Sequence, residues 1–280
     1  MPHADLDSVA AALDRIAPPG LAEEWDNVGL LVRPSRPRPV RRAVLTIDLT
    51  EPVLDDALAR KAELIVAYHP PLFRAVKRLD PAVPHQRVLL RAIEERIAVH
   101  SPHTALDAAP GGVNDWLADG LGAGLRRPLE RPRDRLRLGP RPAAPAAHGE
   151  IAGQGRLVLL DRAVDVATVV RRVKRHLGLR HVRVAAAPAH AGGAKIATVA
   201  LCAGAGGDVL NDVEADLLLT GELRHHDVLA AVAAGRSVVL CDHSNTERGY
   251  LPEFAERLRA AVPGLEVIVA EDDADPLVVS

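Results

Sequence analysis

Glu63-Leu64-Ile65-Val66-Ala67-Tyr68-His69-Pro70-Pro71 is the stretch from which the fold can be read. Its apolar run reads as a buried strand, and it delivers the chain straight into an imidazole backed by two prolines. Proline fixes its own φ and pushes the preceding residue toward an extended backbone, so His69 is held on a stiff loop. For a lone histidine the plainer reading is a cap on a strand-end carbonyl. The arrangement recurs, however. Ile97–Val99 leads to His103 and Asp107, Asp216–Leu219 to Glu222, His225, His226 and Asp227, and Ser237–Leu240 to His243 and Glu247. Of the 12 histidines, His69, His100, His103, His225, His226 and His243 fall in these strings, which makes a metal site the first hypothesis.

Helical patterns separate the strands. Leu6, Val9, Leu13 and Ile16 recur at helical spacing, and Pro52–Ala62, Pro84–Arg96 and Gly111–Leu121 read as further helices. Ala43–Ile47 is another strand. Such alternation predicts a largely parallel, helix-covered sheet. Open α/β sheets bind ligands outside the carboxyl ends of their strands, so residues far apart in sequence can meet there. At Arg126–Ala147 the periodicity gives way to Pro, Arg and Ala, which reads as a connector. Beyond it come a strand at Arg156–Leu160, a basic helix at Val164–Leu177, strands at Val182–Ala186 and Lys195–Cys202, and a last strand at Leu265–Ala270. The expectation is an α/β protein of two lobes with mixed, mostly parallel sheets: an N-terminal lobe 1–125, a connector 126–150 and a C-terminal lobe 151–280.

The 35 basic and 37 acidic residues nearly cancel, so no overall field favours nucleic acid or an anionic membrane. The Arg-rich stretch from Arg126 to Arg141 is the local exception. No apolar run approaches the ~18 residues of a membrane span, and no cationic start precedes an apolar leader. A soluble cytoplasmic protein with no membrane partner is expected. Cys202 and Cys241 lie in apolar runs and read as buried strand thiols, not a disulfide framework.

Each site residue has a competing explanation. Asp107 follows His103 by four positions but equally suits a helix N-cap. His243 and Glu247 share a face if their segment is helical. Ser244-Asn245-Thr246-Glu247 also fits a capping box, with Leu251, Phe254, Leu258 and Val262 marking the helix beyond. Glu222, His225 and His226 open another helix, where adjacent histidines point about 100° apart, so at most one faces a given metal. A solvent-facing polar helix start explains them too. Gly204-Ala205-Gly206-Gly207 is neither a dinucleotide fingerprint nor a Walker loop, and reads as a tight strand-to-helix turn. Trp25-Asp26-Asn27 reads as packing and a turn.

Six strings, taken together, carry a family resemblance. Glu24-Trp25-Asp26-Asn27-Val28-Gly29-Leu30, Tyr68-His69-Pro70-Pro71-Leu72-Phe73, Ser101-Pro102-His103-Thr104-Ala105-Leu106-Asp107, Gly111-Gly112-Val113-Asn114-Asp115, Thr220-Gly221-Glu222 with His225-His226-Asp227, and His243-Ser244-Asn245-Thr246-Glu247 resemble, in order, the NIF-three-like family. Its members are described as dinuclear metal centre hexameric proteins and labelled GTP cyclohydrolase type-two homologues. The resemblance implies a toroidal homohexamer with a pair of divalent metals in the cleft between lobes. It carries the ligand roles to His69, Asp107, His243 and Glu247. Many bacterial members have two consecutive histidines where this chain has Tyr68-His69. A phenol, with a pKa near 10, coordinates divalent ions poorly. A single metal, or His103 or water in the missing position, is the alternative.

Two carboxylates with two or more imidazoles suit Zn, Mn, Fe or Co. A metal-bound water can ionise near pH ~7, so the first expectation is a metal-dependent hydrolase of a nucleotide. Opening of the GTP imidazole ring is the reaction the family label implies. His103, His225, His226 and Glu222 are candidates for proton transfer or substrate orientation. A phosphoesterase using the same metals and a non-catalytic metal-binding ring or scaffold are the other readings.

Overall fold

Residues 4–129 and 151–277 are described by a computed structural model, in which the chain divides into two compact units. The first takes the chain up to Leu106 and resumes at Tyr250; the second runs from Asp107 to Gly249.

The first unit contains α1 (Leu6–Ile16), β1 (Gly29–Val32), β2 (Arg42–Thr46), α2 (Glu51–Ala59), β3 (Leu64–Ala67), α3 (Pro84–Glu94) and β4 (Ala98–Ser101), and the start of α4 (His103–Ala108). The second holds α5 (Val113–Asp119), β5 (Gly124–Arg127), β6 (Arg156–Val164), α6 (Val166–Leu177), β7 (Arg183–Ala185), α7 (Pro188–Ala191), β8 (Ile196–Ala205), α8 (Gly207–Leu210), β9 (Leu217–Glu222), α9 (His225–Ala233) and β10 (Ser237–Leu240). The chain then returns to the first unit with α10 (Leu251–Ala261) and β11 (Glu266–Val269).

Sheet order in the first unit is β1-β4-β3-β2-β11, parallel except for the antiparallel edge strand β1. Every residue of β3 is buried, as expected of a strand covered on both faces. Val44, Ile65 and Val99 pack with Val53, Leu54, Ala57, Val88 and Leu89 of α2 and α3. Helix α1 starts where Asp5 accepts a hydrogen bond from the Ser8 amide at 2.7 Å, and its Leu6, Val9 and Leu13 are buried. The second sheet runs β5-β6-β8-β9-β10-β7, with parallel pairing only among β8, β9 and β10. Its outer pairs are antiparallel, so the parallel majority expected from sequence holds in the first sheet alone.

Two differences from the sequence reading concern organisation. The last strand, expected in the C-terminal lobe, is β11, and it pairs with β2, Val267 opposite Ala43. An apolar run declares itself a strand locally, whereas its partner is set by tertiary packing. Most of the expected connector, 130–150, lies outside the described residues, and Arg126 and Arg127 before it end β5. Strands β1 and β5, short and partly exposed, have no clear periodic signal. Among the described residues no helix is long and apolar enough to cross a membrane.

One buried ion pair ties the second unit together. Arg156 Nε and Nη2 donate to the two Asp115 oxygens at 2.6 and 2.8 Å, and Nη1 donates to the Gly153 and Gly155 carbonyls at 2.6 and 2.7 Å. Removing one partner strands the other charge away from water, a loss of about 3–5 kcal/mol. Arg156→Met is therefore expected to lower the free energy of urea unfolding by about that amount; a loss below about 1 kcal/mol contradicts this reading. At the amino ends of β8 and β9, Asp216 accepts from the Ala197 and Thr198 amides, both at 2.8 Å, and from Thr198 Oγ1 at 3.0 Å. Burial raises its pKa, but these hydrogen bonds outweigh burial and hold it below the ordinary carboxylate value. Its contribution is present above the unfolded-state pKa, near ~3.9, and is lost as pH falls through the lower folded value. In acid titrations of stability, Asp216→Asn should lose less than wild type on going below pH ~4.

Candidate metal centre

The parallel strands β8, β9 and β10 end in a knot of backbone contacts. The Gly204 amide donates to Thr246 Oγ1 at 2.8 Å, and that hydroxyl donates to the His243 carbonyl at 2.7 Å. Thr220 Oγ1 in turn donates to the Gly204 carbonyl at 3.0 Å and accepts from the Gly206 amide at 3.1 Å. A Cβ on Gly221 would lie 2.6 Å from the Gly204 oxygen and 2.9 Å from the Asp242 oxygen, so only glycine fits there. Asp242 itself has φ +64, a costly conformation for a non-glycine residue and typical of functional turns.

This knot sets the conformation of the turn after β10. Ser244–Thr246 and Arg248–Tyr250 are 3-10 turns, and α10 begins only at Leu251. The Glu247 amide donates to the Ser244 carbonyl at 3.1 Å, the closure of a 3-10 turn. The tight turn still brings His243 Nε2 to 3.4 Å from Glu247 Oε1, with the Glu247 side chain only 3% exposed.

Each key histidine has a carboxylate on Nδ1. His243 Nδ1 lies 2.7 Å from Glu222 Oε1 at the end of β9. His69 Nδ1 lies 2.9 Å from Asp48 Oδ1, just past the neighbouring parallel strand β2. His103 Nδ1 lies 2.8 Å from Asp26 Oδ1, a carboxylate with no solvent exposure. A carboxylate only accepts, so Nδ1 carries the proton in each ring and Nε2 holds the lone pair a metal or a substrate proton would use. Asp26 also accepts from the Thr104 amide at 3.1 Å and from its hydroxyl at 2.5 Å. Burial raises the Asp26 pKa, but the hydrogen bonds from His103 and Thr104 outweigh it and hold the carboxyl below the usual range. His103 sits at φ +28, a backbone strain kept by these contacts. Tyr68 is buried with its ring edge-on to His69 and His103, at centroid distances of 5.2 and 5.8 Å.

Within the second unit the His243–Glu247 pair offers an imidazole nitrogen and a carboxylate oxygen to a metal ion, and His69 of the first unit is a further candidate ligand. The space around the pair is kept by Gly204: at φ +62, its Cβ would fall 2.6 Å from Glu247 Oε1 and 3.0 Å from His243 Nε2. Two imidazole nitrogens and a carboxylate oxygen fit Zn, Mn, Fe or Co. Asp107 is not one of these three; it lies near the end of α4, where its carbonyl accepts from Asn114 Nδ2 at 3.1 Å. His225 and His226 are exposed at the start of α9, rings 5.4 Å apart, outside the group. Asp48 escaped the sequence reading because nothing local reveals that β2 neighbours β3. Trp25-Asp26-Asn27 makes the expected turn, the Asp26 amide donating to the Glu23 carbonyl at 3.0 Å, and the buried Asp26 side chain also orients His103.

The family described as Duf34/NIF3 (NGG1p interacting factor 3) matches residues 4–276. The chain is 38% identical over 346 residues to NIF3-like protein 1 of Rattus norvegicus, covering 98% of this chain and 92% of the relative. It is 42% identical over 285 residues to the NIF3 homolog of Schizosaccharomyces pombe, covering 99% of each. The crystal structure of a Bacillus cereus protein related to NIF3 superposes with a TM-score of 0.82 at 20% identity, over 100% of both chains, and shares the fold.

Gly204→Ala is expected to abolish metal retention after dialysis, read by elemental analysis, and to cost about 1–2 kcal/mol of stability from its left-handed backbone. Gly178→Ala is the control. Gly178 has φ +68 with nothing within 4 Å of its would-be Cβ, so it should lose similar stability yet keep its metal. Equal metal content in the two variants would contradict the clearance role.

Proposed function

Because the chain belongs to the DUF34/NIF3 family, we propose that it holds divalent transition-metal ions on His69, His243 and Glu247, with Asp107 completing the set, and hydrolyses a nucleotide. The observation that carries this reading is the His243–Glu247 pair, closed on itself by a 3-10 turn with Gly204 clearing the space beside both ligand atoms. An imidazole oriented through Nδ1 by Glu222, beside a nearly buried carboxylate, is the donor arrangement that metal-ligating histidines use.

A bound ion of this kind supplies a water that ionises near neutral pH. The remaining work falls to the chain itself. Asp48 and Glu222 fix the Nδ1 protons of His69 and His243, so both rings present Nε2 as ligand. His103, held by Asp26, is the group positioned to accept or deliver a proton at Nε2. His225, His226 and Glu222 take supporting roles toward the substrate. Tyr68 stands where many bacterial relatives place another imidazole, which favours unequal occupancy of two metal positions. The family label assigns opening of the GTP imidazole ring, and the working form is a toroidal homohexamer in the cytoplasm.

Elemental analysis of protein purified without added metal is expected to give one to two transition ions per protomer in wild type and none in Glu247→Ala. GTP incubated with wild type should lose the absorbance of its intact purine, with Glu247→Ala inactive. Phosphate release with an intact purine spectrum would make the enzyme a phosphoesterase. Stoichiometric metal with no turnover on any nucleotide would leave a non-catalytic metal-binding ring.

A further inference from the structure

The segment that follows His69 carries chemistry that the metal centre does not use. Between β3 and α3 the chain places Arg74, Lys77 and Arg78 in exposed positions, with His85 in the first turn of α3. Among the described residues, Arg74, Lys77 and Arg78 form no ion pair or hydrogen bond. Other arginines of this unit are engaged: Arg33 with Asp7, Arg60 with Asp56, Arg87 with Glu51 and Arg91 with Asp55. The three unengaged cations line a cavity of about 560 Å³ together with Phe73, His85 and Gln86, and no described carboxylate lines it. The Gln86 carboxamide oxygen accepts from the Asp80 amide at 2.8 Å, which leaves its NH2 as the end it can offer. All the polar chemistry of the cavity thus favours an anion, and the volume suits one small ligand.

An aromatic pair stands beside it. The chain has only two tryptophans and two phenylalanines, and while Trp116 and Phe254 are buried, Trp25 and Phe73 are 59% and 46% exposed. Their rings meet edge-on at 5.9 Å, and both also contact the His103 ring, at 6.1 and 6.5 Å. Exposed aromatics beside unengaged cations are the combination that grips a nucleotide, base on a π-face and phosphates on the charges.

We propose that the segment between β3 and α3 is a polyphosphate-binding arm, in which Arg74, Lys77, Arg78 and His85 take the phosphate chain of a nucleoside triphosphate while Phe73 and Trp25 pack against its base. This rests on the nucleotide reading above and deepens it, giving the substrate a phosphate subsite that starts five residues after a metal ligand. The arm holds the substrate and does no chemistry, so it is separable from the metal centre. An extended nucleic acid is the less suitable occupant, because the cavity is the size of one ligand and the formal charge of the chain is −2.

The test is calorimetric titration of metal-loaded protein with GTP, guanosine and inorganic tripolyphosphate, with quenching of Trp25 fluorescence followed in parallel and metal content measured before and after. The variant is Arg74→Gln/Lys77→Gln/Arg78→Gln, whose exposed side chains contribute nothing to packing. The expected result is a rise of about tenfold or more in Kd for GTP and tripolyphosphate, about 1.4 kcal/mol or more, with unchanged metal content and melting temperature. Trp25→Ala should weaken GTP but not tripolyphosphate. A variant that binds GTP like wild type with its metal intact would overturn the arm and leave the metal-hydrolase reading standing. Tripolyphosphate bound through these residues, with GTP no tighter, would support the anion site and overturn the base platform. A single-stranded oligonucleotide that binds more tightly with length would overturn the proposal in favour of nucleic acid.

Discussion

A single hydroxyl, that of Thr246, fixes the conformation on which the candidate centre depends. It accepts from the Gly204 amide at the end of β8 and donates to the His243 carbonyl after β10. With both ends tied, the five residues from His243 to Glu247 cannot relax into the first turn of a regular helix. They close as a 3-10 turn instead, and that closure sets Glu247 beside the imidazole. The requirement for glycine at 204 and 221 follows from the same knot, since a side chain at either would strike the turn.

The second constraint is electrostatic. His69, His243 and His103 come from different strand ends, yet each is backed by a carboxylate on Nδ1. Such backing orients a ring and fixes its tautomer, and it is the usual support of histidines that bind metals or move protons. Asp26 is the most committed of the three carboxylates: buried, strongly hydrogen-bonded and tied to a histidine held at positive φ. Strain at that point is stable only because Thr104 and Asp26 brace it, and it gives His103 a defined direction that a relaxed loop would not.

Much of this was legible in the sequence, and the rest had identifiable physical obstacles. Ser237–Leu240 was read to the residue, and Ala43–Ile47 and Glu63–Ala67 to within one, because strands buried on both faces are unbroken apolar runs. His69 and His243 stood out as candidates because each follows such a run, whereas the ligand roles themselves came from the family resemblance. Asp48 was invisible, since its role depends on β2 lying next to β3, and strand order is not a local property. Ser244-Asn245-Thr246-Glu247 suits a capping box and a 3-10 turn alike, and the turn that forms is tied by a hydrogen bond to Gly204, 42 residues away. For the same reason β11 was placed with the wrong half of the chain. The glycines after β8 read correctly as a tight turn, but that one of them clears space for two ligand atoms needed coordinates.

The central claim is that a transition-metal ion is seated on His69, His243 and Glu247. Anomalous X-ray diffraction from crystals of the protein purified without chelator, collected on both sides of the metal absorption edge, tests it most directly. The account predicts an anomalous peak within bonding distance of Nε2 of both histidines and a Glu247 carboxylate oxygen. A peak at some other set of side chains, or metal-replete crystals with none at these three residues, would contradict it.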